Sequence, residues 1–262
     1  MQKFLSLTKE FILDILFPKF CLSCGKEGSY LCEDCFSIID ILKRQYCPFC
    51  YPPKAVADAK TCIYCRKRKR LNGLYCATSY NNFIAKKLIN QFKYGPYIKE
   101  LSKPLSSLII AYFLNLETLF DAKFKNFILI PIPLHKNKLK QRGFNQAEEI
   151  AKELSKYLEI PIISNFLIKI KQTPAQVELD KKQRKNNIKG VFLCPKLELI
   201  NPVRGYQDKK KTQSPQTSNG VKNKKILLVD DIFTTGSTME ECAKILKEAG
   251  AKEVWGVVVA RG

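Results

Sequence analysis

The sequence predicts an α/β protein in which helices cover both faces of a parallel sheet, with a small cysteine-rich unit in front of it. Apolar runs at residues 127–134 and 225–229 are typical of strands buried on both faces, and amphipathic helical segments alternate with them. Strands and helices that alternate in this way form parallel sheets. Eight of the eleven cysteines lie between residues 21 and 65, which sets that segment apart from the rest of the chain.

Length and composition fit a full α/β core with a second, smaller unit, because the chain has 262 residues of which 45% are hydrophobic. The formal net charge is +21, from 45 Lys and Arg against 24 Asp and Glu, and predicts attraction to polyanions. Generic basicity of a lysine-rich chain is the alternative explanation. No apolar segment approaches the roughly 20 residues that a membrane-spanning helix needs.

Residues 1–18 are predicted to form an amphipathic helix, because apolar side chains recur there at helical spacing. Glu10 and Asp14 interrupt the stretch, which argues against a signal peptide. We expect the helix to dock on the protein itself, and a membrane-surface anchor is the alternative. The expected location is the cytoplasm, with peripheral binding at the inner face of the membrane under that alternative. The apolar stripe consists of Phe4, Leu7, Phe11 and Ile15.

Four C-x-x-C pairs occur within residues 19–75, the segment that we assign to a double zinc-ribbon domain. Two residues between two thiolates allow both sulfur atoms to reach one tetrahedral Zn²⁺ ion. Disulfides would need an oxidising compartment, and a redox-active pair would not explain four copies. We therefore expect two structural zinc ions, each held by four cysteines. The candidate ligands are Cys21, Cys24, Cys32, Cys35, Cys47, Cys50, Cys62 and Cys65.

The simplest pairing places the first four of these cysteines in one site and the last four in another, although spacing alone also allows an interleaved pairing. The other three cysteines, Cys76, Cys194 and Cys242, are expected to be core thiols. A basic run, Arg66-Lys-Arg-Lys-Arg70, follows the last pair directly. This run is either a solvated surface segment or a contact for a nucleic-acid phosphate backbone, and the sequence leaves both interpretations open.

Residues 76–262 are assigned to the α/β domain. The first helix is expected to end before Gly95-Pro96, and the second carries Pro104 in its first turn. The strand at 127–134 is ended by prolines, which have no N–H group to donate to a neighbouring strand. Further elements follow from the same periodicity. The predicted helices cover about residues 83–93, 104–113, 147–158 and 239–249, and short strands are expected at 166–170 and 191–193.

A basic loop is predicted at residues 135–146, between the strand at 127–134 and the following helix. A loop in this position of an open parallel sheet, at a helix N-terminus, is where a pyrophosphate binds, whereas a polar surface loop is the alternative. Gly143 permits close backbone approach, and Phe144 can stack on a base. The candidate ligand contacts in this loop are Lys136, Arg142, Asn145 and Gln146, with Lys138 and Lys140 adding positive charge.

Two further connections are unusually long. Residues 172–187 are typical of a lid, and Arg184 with its lysine neighbours can close over a pyrophosphate leaving group. Residues 196–224 are polar and poor in apolar side chains, so we predict a disordered insertion there, with a specific binding tail as the alternative.

The apolar run at 225–229 ends in two adjacent carboxylates, Asp230 and Asp231, and a Thr-Thr-Gly-Ser-Thr loop follows at residues 234–238. A capping box of Ser237 with Glu240, or of Thr238 with Glu241, is expected to start the next helix, and Gly250 to stop it. Free N–H groups and the helix dipole predict an anion site at this N-terminus. A Walker A motif is excluded because no Gly-Lys-Thr/Ser follows the loop.

The acidic pair and this loop resemble the nucleotide-sugar motif of type I phosphoribosyltransferases, which bind phosphoribosyl pyrophosphate (PRPP). In that family the acidic pair contacts the ribose hydroxyls and the loop holds the 5′-phosphate. The resemblance implies a type I phosphoribosyltransferase-like sheet in which Asp230 and Asp231 hold ribose and magnesium accompanies PRPP. The implied phosphate contacts are Thr234, Thr235, Gly236, Ser237 and Thr238.

Seven features occur in the order seen in the ComF family of competence-associated proteins, which carry a zinc-ribbon head on a phosphoribosyltransferase-like domain. The match spans nearly the whole chain except the extreme N-terminus and the segment between Pro195 and Lys225. The features are the four cysteine pairs, Lys93-Tyr94-Gly95, Pro131-x-Pro-Leu-His135, Arg142-Gly-Phe-Asn-Gln146, Thr173-x-x-Gln176-x-x-Leu179, Arg184-x-x-Asn187 and Val229-Asp-Asp231-x-x-Thr-Thr-Gly-Ser-Thr238.

This resemblance implies a role in natural transformation, in which the protein handles incoming single-stranded DNA in the cytoplasm. The implied partners are PRPP or a related ribose phosphate, single-stranded DNA, and other competence proteins such as the DNA-uptake helicase. If the domain is an enzyme, Asp230, Asp231, Arg142 and Arg184 are the expected catalytic residues of a phosphoribosyl transfer. A metabolic phosphoribosyltransferase that acts on a small acceptor is the alternative.

Overall fold

The computed structural model describes residues 17–116, 124–172, 188, 190–194 and 218–262. Four parallel strands form the central sheet in the order β1-β6-β5-β2, and β3 pairs with β4 in a separate antiparallel ribbon. The strands are β1 (Gly73–Ser79), β2 (Phe127–Pro131), β3 (Ile168–Lys169), β4 (Phe192–Leu193), β5 (Lys225–Phe233) and β6 (Glu253–Arg261).

The expected N-terminal helix up to residue 16, the expected lid at 173–187 with Arg184, and the expected insertion from residue 196 to 217 lie outside the described residues. Within the described part of the chain, no helix is long and apolar enough to cross a membrane. The helices are α1 (Glu33–Ser37), α2 (Ile63–Arg66), α3 (Phe83–Tyr94), α4 (Ser102–Leu114), α5 (Lys136–Arg142), α6 (Gln146–Leu158) and α7 (Ser237–Glu248).

The predicted fold class is confirmed: helices pack on both faces of the parallel sheet. Successive residues of β5 point to opposite faces, so that Leu227 joins one buried cluster with α3, α4 and α6. Leu228 joins the other buried cluster, which contains the inner face of α7, Phe192 of β4, and Phe166 and Leu167 just before β3. Both clusters lie against the apolar central residues of the strands, such as residues 226–229 of β5, as expected for a parallel sheet covered on both sides.

Strands β1 and β6 of the central sheet were not predicted from the sequence, and three predicted elements differ from the structure. The basic segment expected as a loop forms the short helix α5, capped by the ring of His135 and ended by Gly143 at φ 80°. The strand expected at residues 166–170 is only two residues long and pairs with β4 rather than with the main sheet. Strand β5 continues through the acidic pair to Phe233, because β6 keeps pairing with it that far.

The predicted capping box at the start of α7 is wrong. The N-cap is Gly236, and no side chain caps it. The Glu240 carboxylate instead accepts hydrogen bonds from the backbone N–H groups of Arg70 (2.8 Å) and Leu71 (3.2 Å). The predicted stop is confirmed, since α7 ends at Glu248 and Gly250 follows in a left-handed conformation with φ 93°.

The cysteine-rich segment is joined to the sheet by hydrogen bonds. Leu42 N–H donates to the carbonyl of Ala77 (2.9 Å), and the Thr78 hydroxyl donates to the carbonyl of Asp40 (2.7 Å). Further along, Thr61 N–H donates to the carbonyl of Asn72 (2.8 Å), directly before β1. These bonds fix the cysteine-rich unit against one edge of the sheet.

Gly256→Ala in β6 is expected to destabilise the protein by about 1–3 kcal/mol, because overpacking of a closed core costs that much. A Cβ atom at this position would collide with Met239 Sδ and come within 2.8 Å of Leu74 Cδ1. Urea denaturation measures the change. Gly262→Ala is the matched control, since its Cβ would meet nothing closer than 3.7 Å. Equal stability of the two variants would contradict the described packing of α7 on β6.

Candidate functional site

A cleft of about 270 Å³ opens at the carboxyl ends of β2 and β5, where ligands bind in open parallel sheets. Its floor is the acidic pair at the end of β5, and its rim is the loop 234–238, which we call the anion loop. Basic side chains line the opposite wall. Of the predicted ligand contacts, Asp230, Asp231, the anion loop, Arg142, Asn145 and Gln146 line the cleft, whereas Lys136 is exposed on α5 and does not.

Asp231 is a buried carboxylate, with 2% of its side chain exposed. Its Oδ1 atom forms an ion pair with Lys93 Nζ at 2.8 Å, so that α3 supplies the counter-charge. Its Oδ2 atom is buried and has no hydrogen-bond partner among the described residues. An unsatisfied buried carboxylate oxygen is costly, so this atom is suited to a group that donates a hydrogen bond or to a cation.

Asp230 lies beside this ion pair, and its Oδ1 atom accepts a hydrogen bond from the Asp231 N–H at 2.9 Å. Burial and the neighbouring Asp231 carboxylate raise the pKa of Asp230 to about 8. Burial alone would lower the pKa of Lys93, but the charges of Asp231 and Asp230 outweigh it and raise that pKa. The floor of the cleft therefore holds a charged Lys93 below an acidic pair that carries a proton at neutral pH.

The anion loop turns tightly between β5 and α7. Gly236 has φ 74°, and a Cβ atom there would collide with the ring of Phe233, so only glycine fits on both counts. The hydroxyls of Thr235 and Ser237 lie 2.9 Å apart. Since the first N–H groups of α7 have no partner within the helix and carry the positive end of its dipole, the loop suits a phosphate group.

The basic wall consists of Lys138 and Arg142 from α5 and Lys169 from β3. Burial, followed by repulsion from Arg142 and Lys93, lowers the pKa of Lys138. Burial, followed by repulsion from Lys138, lowers the pKa of Lys169. A bound anion would relieve this repulsion, so the wall is suited to a second, highly charged phosphate group.

Three predicted contacts are held in place by neighbouring groups. Arg142 donates to the Gln146 Oε1 atom at 2.8 Å and lies 5.8 Å from the ring centroid of Tyr94. The Gln146 amide donates to the carbonyl of Phe92 (3.0 Å), and the Asn145 amide donates to the carbonyl of Ile132 (3.1 Å). Their contact with a ligand stays a prediction.

Sequence reasoning did not assign Lys93 and Lys169 to the site. Both line the cleft with the acidic pair but lie more than 50 residues away from it along the chain. No local sequence motif marks either lysine as a ligand-binding residue. In the sequence, Lys93 stands out only as part of the Lys93-Tyr94-Gly95 motif. The signal in the sequence that could have pointed to a lysine is the acidic pair itself, because a buried carboxylate needs a cation.

The eight paired cysteines form two separate groups, Cys21–Cys35 and Cys47–Cys65, each with four sulfur atoms within 4.8 Å of one another. The pairing is therefore sequential, and the interleaved alternative is wrong. The Sγ–Sγ distance is 3.6 Å for Cys24–Cys32 and 3.5 Å for Cys50–Cys62. Tetrahedral zinc with Zn–S bonds of about 2.3 Å separates its sulfur ligands by about 3.8 Å, so both groups fit a structural zinc ion.

Backbone N–H groups favour the thiolate form that zinc binds at one cysteine of each group, whereas the pKa values of Cys35, Cys50 and Cys65 are raised. At Cys21, burial opposes ionisation, yet the N–H groups of Cys24 and Cys32 lower the pKa of the thiol to about 6. At Cys62, the N–H of Cys65 lowers the pKa of the thiol to about 6. Of the remaining cysteines, Cys76 and Cys242 are buried, as predicted, and Cys194 is half-buried.

Two family models match the chain in separate segments. The double zinc ribbon domain matches residues 12–66, and the phosphoribosyl transferase domain matches residues 139–262. The first segment contains all eight cysteines of both groups, and the second contains α6, β5, the acidic pair and the anion loop. The matched domains thus coincide with the two sites that the geometry identifies.

Curated relatives include the competence protein ComFC of Streptococcus pneumoniae, which is 27% identical over 233 residues covering 87% of this chain and 86% of that protein. Competence protein F of Haemophilus influenzae is 33% identical over 134 residues, so the match spans 50% of each protein's length. The DNA utilization protein YhgH of Escherichia coli is 29% identical over 170 residues, 64% of each protein.

Asp230→Asn is expected to flatten the pH dependence of stability between about pH 5 and pH 8. The folded protein keeps a proton on Asp230 up to a pKa of about 8, whereas an ordinary Asp has a value of 3.8. Between these values the folded state binds the extra proton, so the free energy of unfolding falls as pH rises. Asn cannot titrate and removes this contribution.

Thermal unfolding at pH 6 and pH 8 measures the difference. Asp58→Asn is the matched control, because this exposed residue pairs with Lys60 on the surface and should keep the wild-type slope. If Asp230→Asn lost as much stability between the two pH values as the wild type, the protonated state of Asp230 in the folded protein would be contradicted.

Proposed function

We propose that this chain, which belongs to the ComF family of proteins with a double zinc ribbon and a phosphoribosyltransferase-like domain, binds PRPP or a related ribose phosphate in the cleft. The observation that carries the proposal is the unpaired, buried Oδ2 atom of Asp231 between an anion loop and a basic wall. A ligand with hydroxyls flanked by two phosphate groups matches all three features. A ribose with phosphates at C5 and C1 has this arrangement.

In the proposed complex, Asp230 and Asp231 accept hydrogen bonds from the ribose hydroxyls, because they are the acceptors at the centre of the cleft. The N–H groups and hydroxyls of the anion loop hold the 5′-phosphate at the N-terminus of α7. Lys138, Arg142 and Lys169 neutralise the pyrophosphate at C1. Arg184, which lies outside the described residues, is the proposed lid contact to the same group.

The acidic pair also suits magnesium, since hard oxygen ligands are what this ion prefers and Asp231 Oδ2 is free to face it. Magnesium bound with PRPP supplies positive charge to the pyrophosphate. Lys93 holds the opposite oxygen of Asp231 and keeps that carboxylate oriented toward the cleft. The zinc ions proposed for the cysteine groups are structural, because four thiolates close the coordination shell.

The reaction class that this geometry suits is displacement of pyrophosphate from C1 of the ribose. The bond from C1 to the pyrophosphate oxygen breaks through an oxocarbenium-like transition state while an acceptor forms the new bond. Asp230 and Asp231 would fix the ribose ring, and Arg142 would stabilise the charge that develops on the leaving oxygen.

A second proposed function is single-stranded DNA binding on the second zinc ribbon. The side chains of Tyr51 and Tyr64 are 89% and 70% exposed and follow or precede zinc-site cysteines of the same group. The basic run Arg66–Arg70 continues from this ribbon with four of its five residues exposed. Lys54 Nζ lies 5.1 Å from the ring centroid of Tyr64. Aromatic rings among cations form the usual platform for single strands.

The names of the relatives support this second function, because they include competence and DNA utilization proteins. We propose that the protein handles single-stranded DNA during natural transformation, in the cytoplasm or at the inner face of the membrane. Other competence proteins, such as the DNA-uptake helicase, are the proposed partners. The cleft and the ribbon surface are then two sites of one protein with different ligands.

Wild-type protein is expected to bind PRPP with Mg²⁺ in isothermal titration calorimetry, and Asp231→Asn to weaken the binding at least about tenfold. Loss of a charged hydrogen-bond acceptor costs about 1.5–3 kcal/mol, which corresponds to that factor or more. Asp58→Asn makes the same chemical change on the zinc ribbon and should bind as the wild type does. If wild-type protein gives no heat of PRPP binding, or if both variants bind PRPP equally weakly, the proposal is wrong.

Tyr64→Ala is expected to weaken binding of a fluorescent oligothymidine about tenfold, since stacking of one base contributes about 1–3 kcal/mol. Fluorescence anisotropy at several salt concentrations should show affinity that falls steeply with salt, and Arg68→Ala should reduce the slope by about 0.7. Tyr157→Ala, a half-exposed tyrosine on α6, is the control. Salt-independent binding, or equal effects of both tyrosine variants, would exclude the ribbon surface.

A further inference from the structure

The second zinc ribbon contacts the segment that precedes the anion loop. Phe49 lies between the zinc-site cysteines Cys47 and Cys50, and its ring meets Phe233 edge to face, with centroids 6.2 Å apart and planes at 61°. Phe233 is the last residue of β5 and is almost fully buried. The Phe233 ring fills the space beside Gly236 of the anion loop. Phe49 therefore packs on the side chain that supports the turn of the loop.

Arg261 also connects the second zinc ribbon to the end of β5. It is paired in register with Phe233, and its guanidinium lies 5.9 Å from the centroid of the Phe233 ring. The guanidinium also donates hydrogen bonds to the carbonyls of Cys47 (3.2 Å) and Pro48 (3.3 Å). The backbone of the zinc knuckle is thereby held beside Phe233 by a charged donor, which is a stronger contact than a neutral one.

The far side of the anion loop is held by the chain that leaves the ribbon. Glu240, in the first turn of α7, accepts hydrogen bonds from the N–H groups of Arg70 and Leu71. Those residues follow the last zinc-site cysteine, Cys65, by five and six positions. Both ends of the anion loop are therefore supported by the second ribbon, through Phe233 at its start and through Glu240 beyond its end.

The first zinc ribbon packs elsewhere. Its buried cysteines Cys21, Cys32 and Cys35 belong to the apolar cluster on the opposite face of the sheet, together with Leu227. Phe49 and Phe233 belong to the other cluster, with Met239 of α7. The two ribbons therefore differ in their relation to the cleft, although their cysteine spacing is similar.

We propose that the second zinc ribbon positions the anion loop, with Phe49 as a positioning residue, so that zinc in the Cys47–Cys65 group raises the affinity of the cleft for its phosphate ligand. A small ribbon depends on zinc for its fold, and loss of the metal releases Phe49 together with the carbonyls that Arg261 binds. Linkage makes the effect reciprocal, so a bound phosphate ligand raises the zinc affinity of this group but not that of Cys21–Cys35.

The ligand in this inference rests on the proposed function, whereas the ordering of the loop does not. Hydrogen–deuterium exchange of peptides spanning residues 233–240 reports the loop directly, and calorimetry with Mg²⁺ and PRPP reports the affinity. Phe49→Ala is expected to speed amide exchange in the loop about tenfold and to weaken PRPP binding about tenfold, since an aromatic pair and its buried area contribute about 1–1.5 kcal/mol. Zinc content should stay at about two ions per chain.

Phe20→Ala is the matched control, because Phe20 precedes Cys21 in the first ribbon as a half-exposed phenylalanine. It should leave exchange at 233–240 and PRPP affinity within about twofold of the wild type. If Phe49→Ala loses its zinc, Phe49→Leu replaces it as the test, and faster loop exchange with zinc retained is the expected result. Wild-type loop exchange in the zinc-loaded Phe49 variant would overturn the inference.

The two proposals fail in different ways. Wild-type protein that shows a protected loop but no PRPP heat would remove the proposed ligand, and the exchange data would still decide the role of Phe49. Wild-type protein that binds PRPP, with Phe49→Ala and Phe20→Ala indistinguishable in both readouts, would overturn the support by the ribbon and leave the ligand in place.

Discussion

Parallel pairing between β5 and β6, from Lys225–Glu253 to Phe233–Arg261, fixes the position of the acidic pair and of the start of the anion loop. The pairing carries β5 past its apolar residues and through Asp230 and Asp231, so the acidic pair is held by a continuous ladder rather than by a loop. It also places Phe233 beside Arg261 at the end of the sheet. Phe233 then supports the anion loop, and Arg261 binds the second zinc ribbon. A functional group on a regular strand is held more rigidly than one on a connection.

The cleft contains opposite charges that the protein alone does not fully satisfy. Lys93 neutralises one oxygen of Asp231, the other oxygen has no partner among the described residues, and Asp230 keeps a proton because burial disfavours its charge. Across the cleft, Lys138 and Lys169 repel each other and the nearby Arg142. A ligand that offers hydroxyls to the acidic floor and phosphates to the basic wall satisfies both sets at once. Preorganised groups of this kind favour ligand binding at some cost to the stability of the free protein.

The sequence predicted the parts of the structure whose chemistry is local. The four cysteine pairs, the strand predicted at 127–134 and the order of acidic pair, loop and helix each lie within a short window, and the fold class followed from them. The prediction of a capping box is wrong because the Glu240 carboxylate accepts hydrogen bonds from the N–H groups of Arg70 and Leu71. Local spacing in the sequence cannot show such a tertiary contact. Helix α5 was missed because its basic residues have no apolar periodicity. The cations Lys93 and Lys169 reach the site only through the topology of the chain.

The central claim is that the acidic pair and the anion loop hold one ribose phosphate between them. A crystal structure of the full chain grown with PRPP and Mg²⁺ tests it most directly. The account predicts the 5′-phosphate within hydrogen-bond distance of backbone N–H groups in residues 234–238, and a ribose hydroxyl on Asp231 Oδ2. Density for the ligand on the surface of the second ribbon, with Asp231 Oδ2 still unpaired in the cleft, would contradict the account.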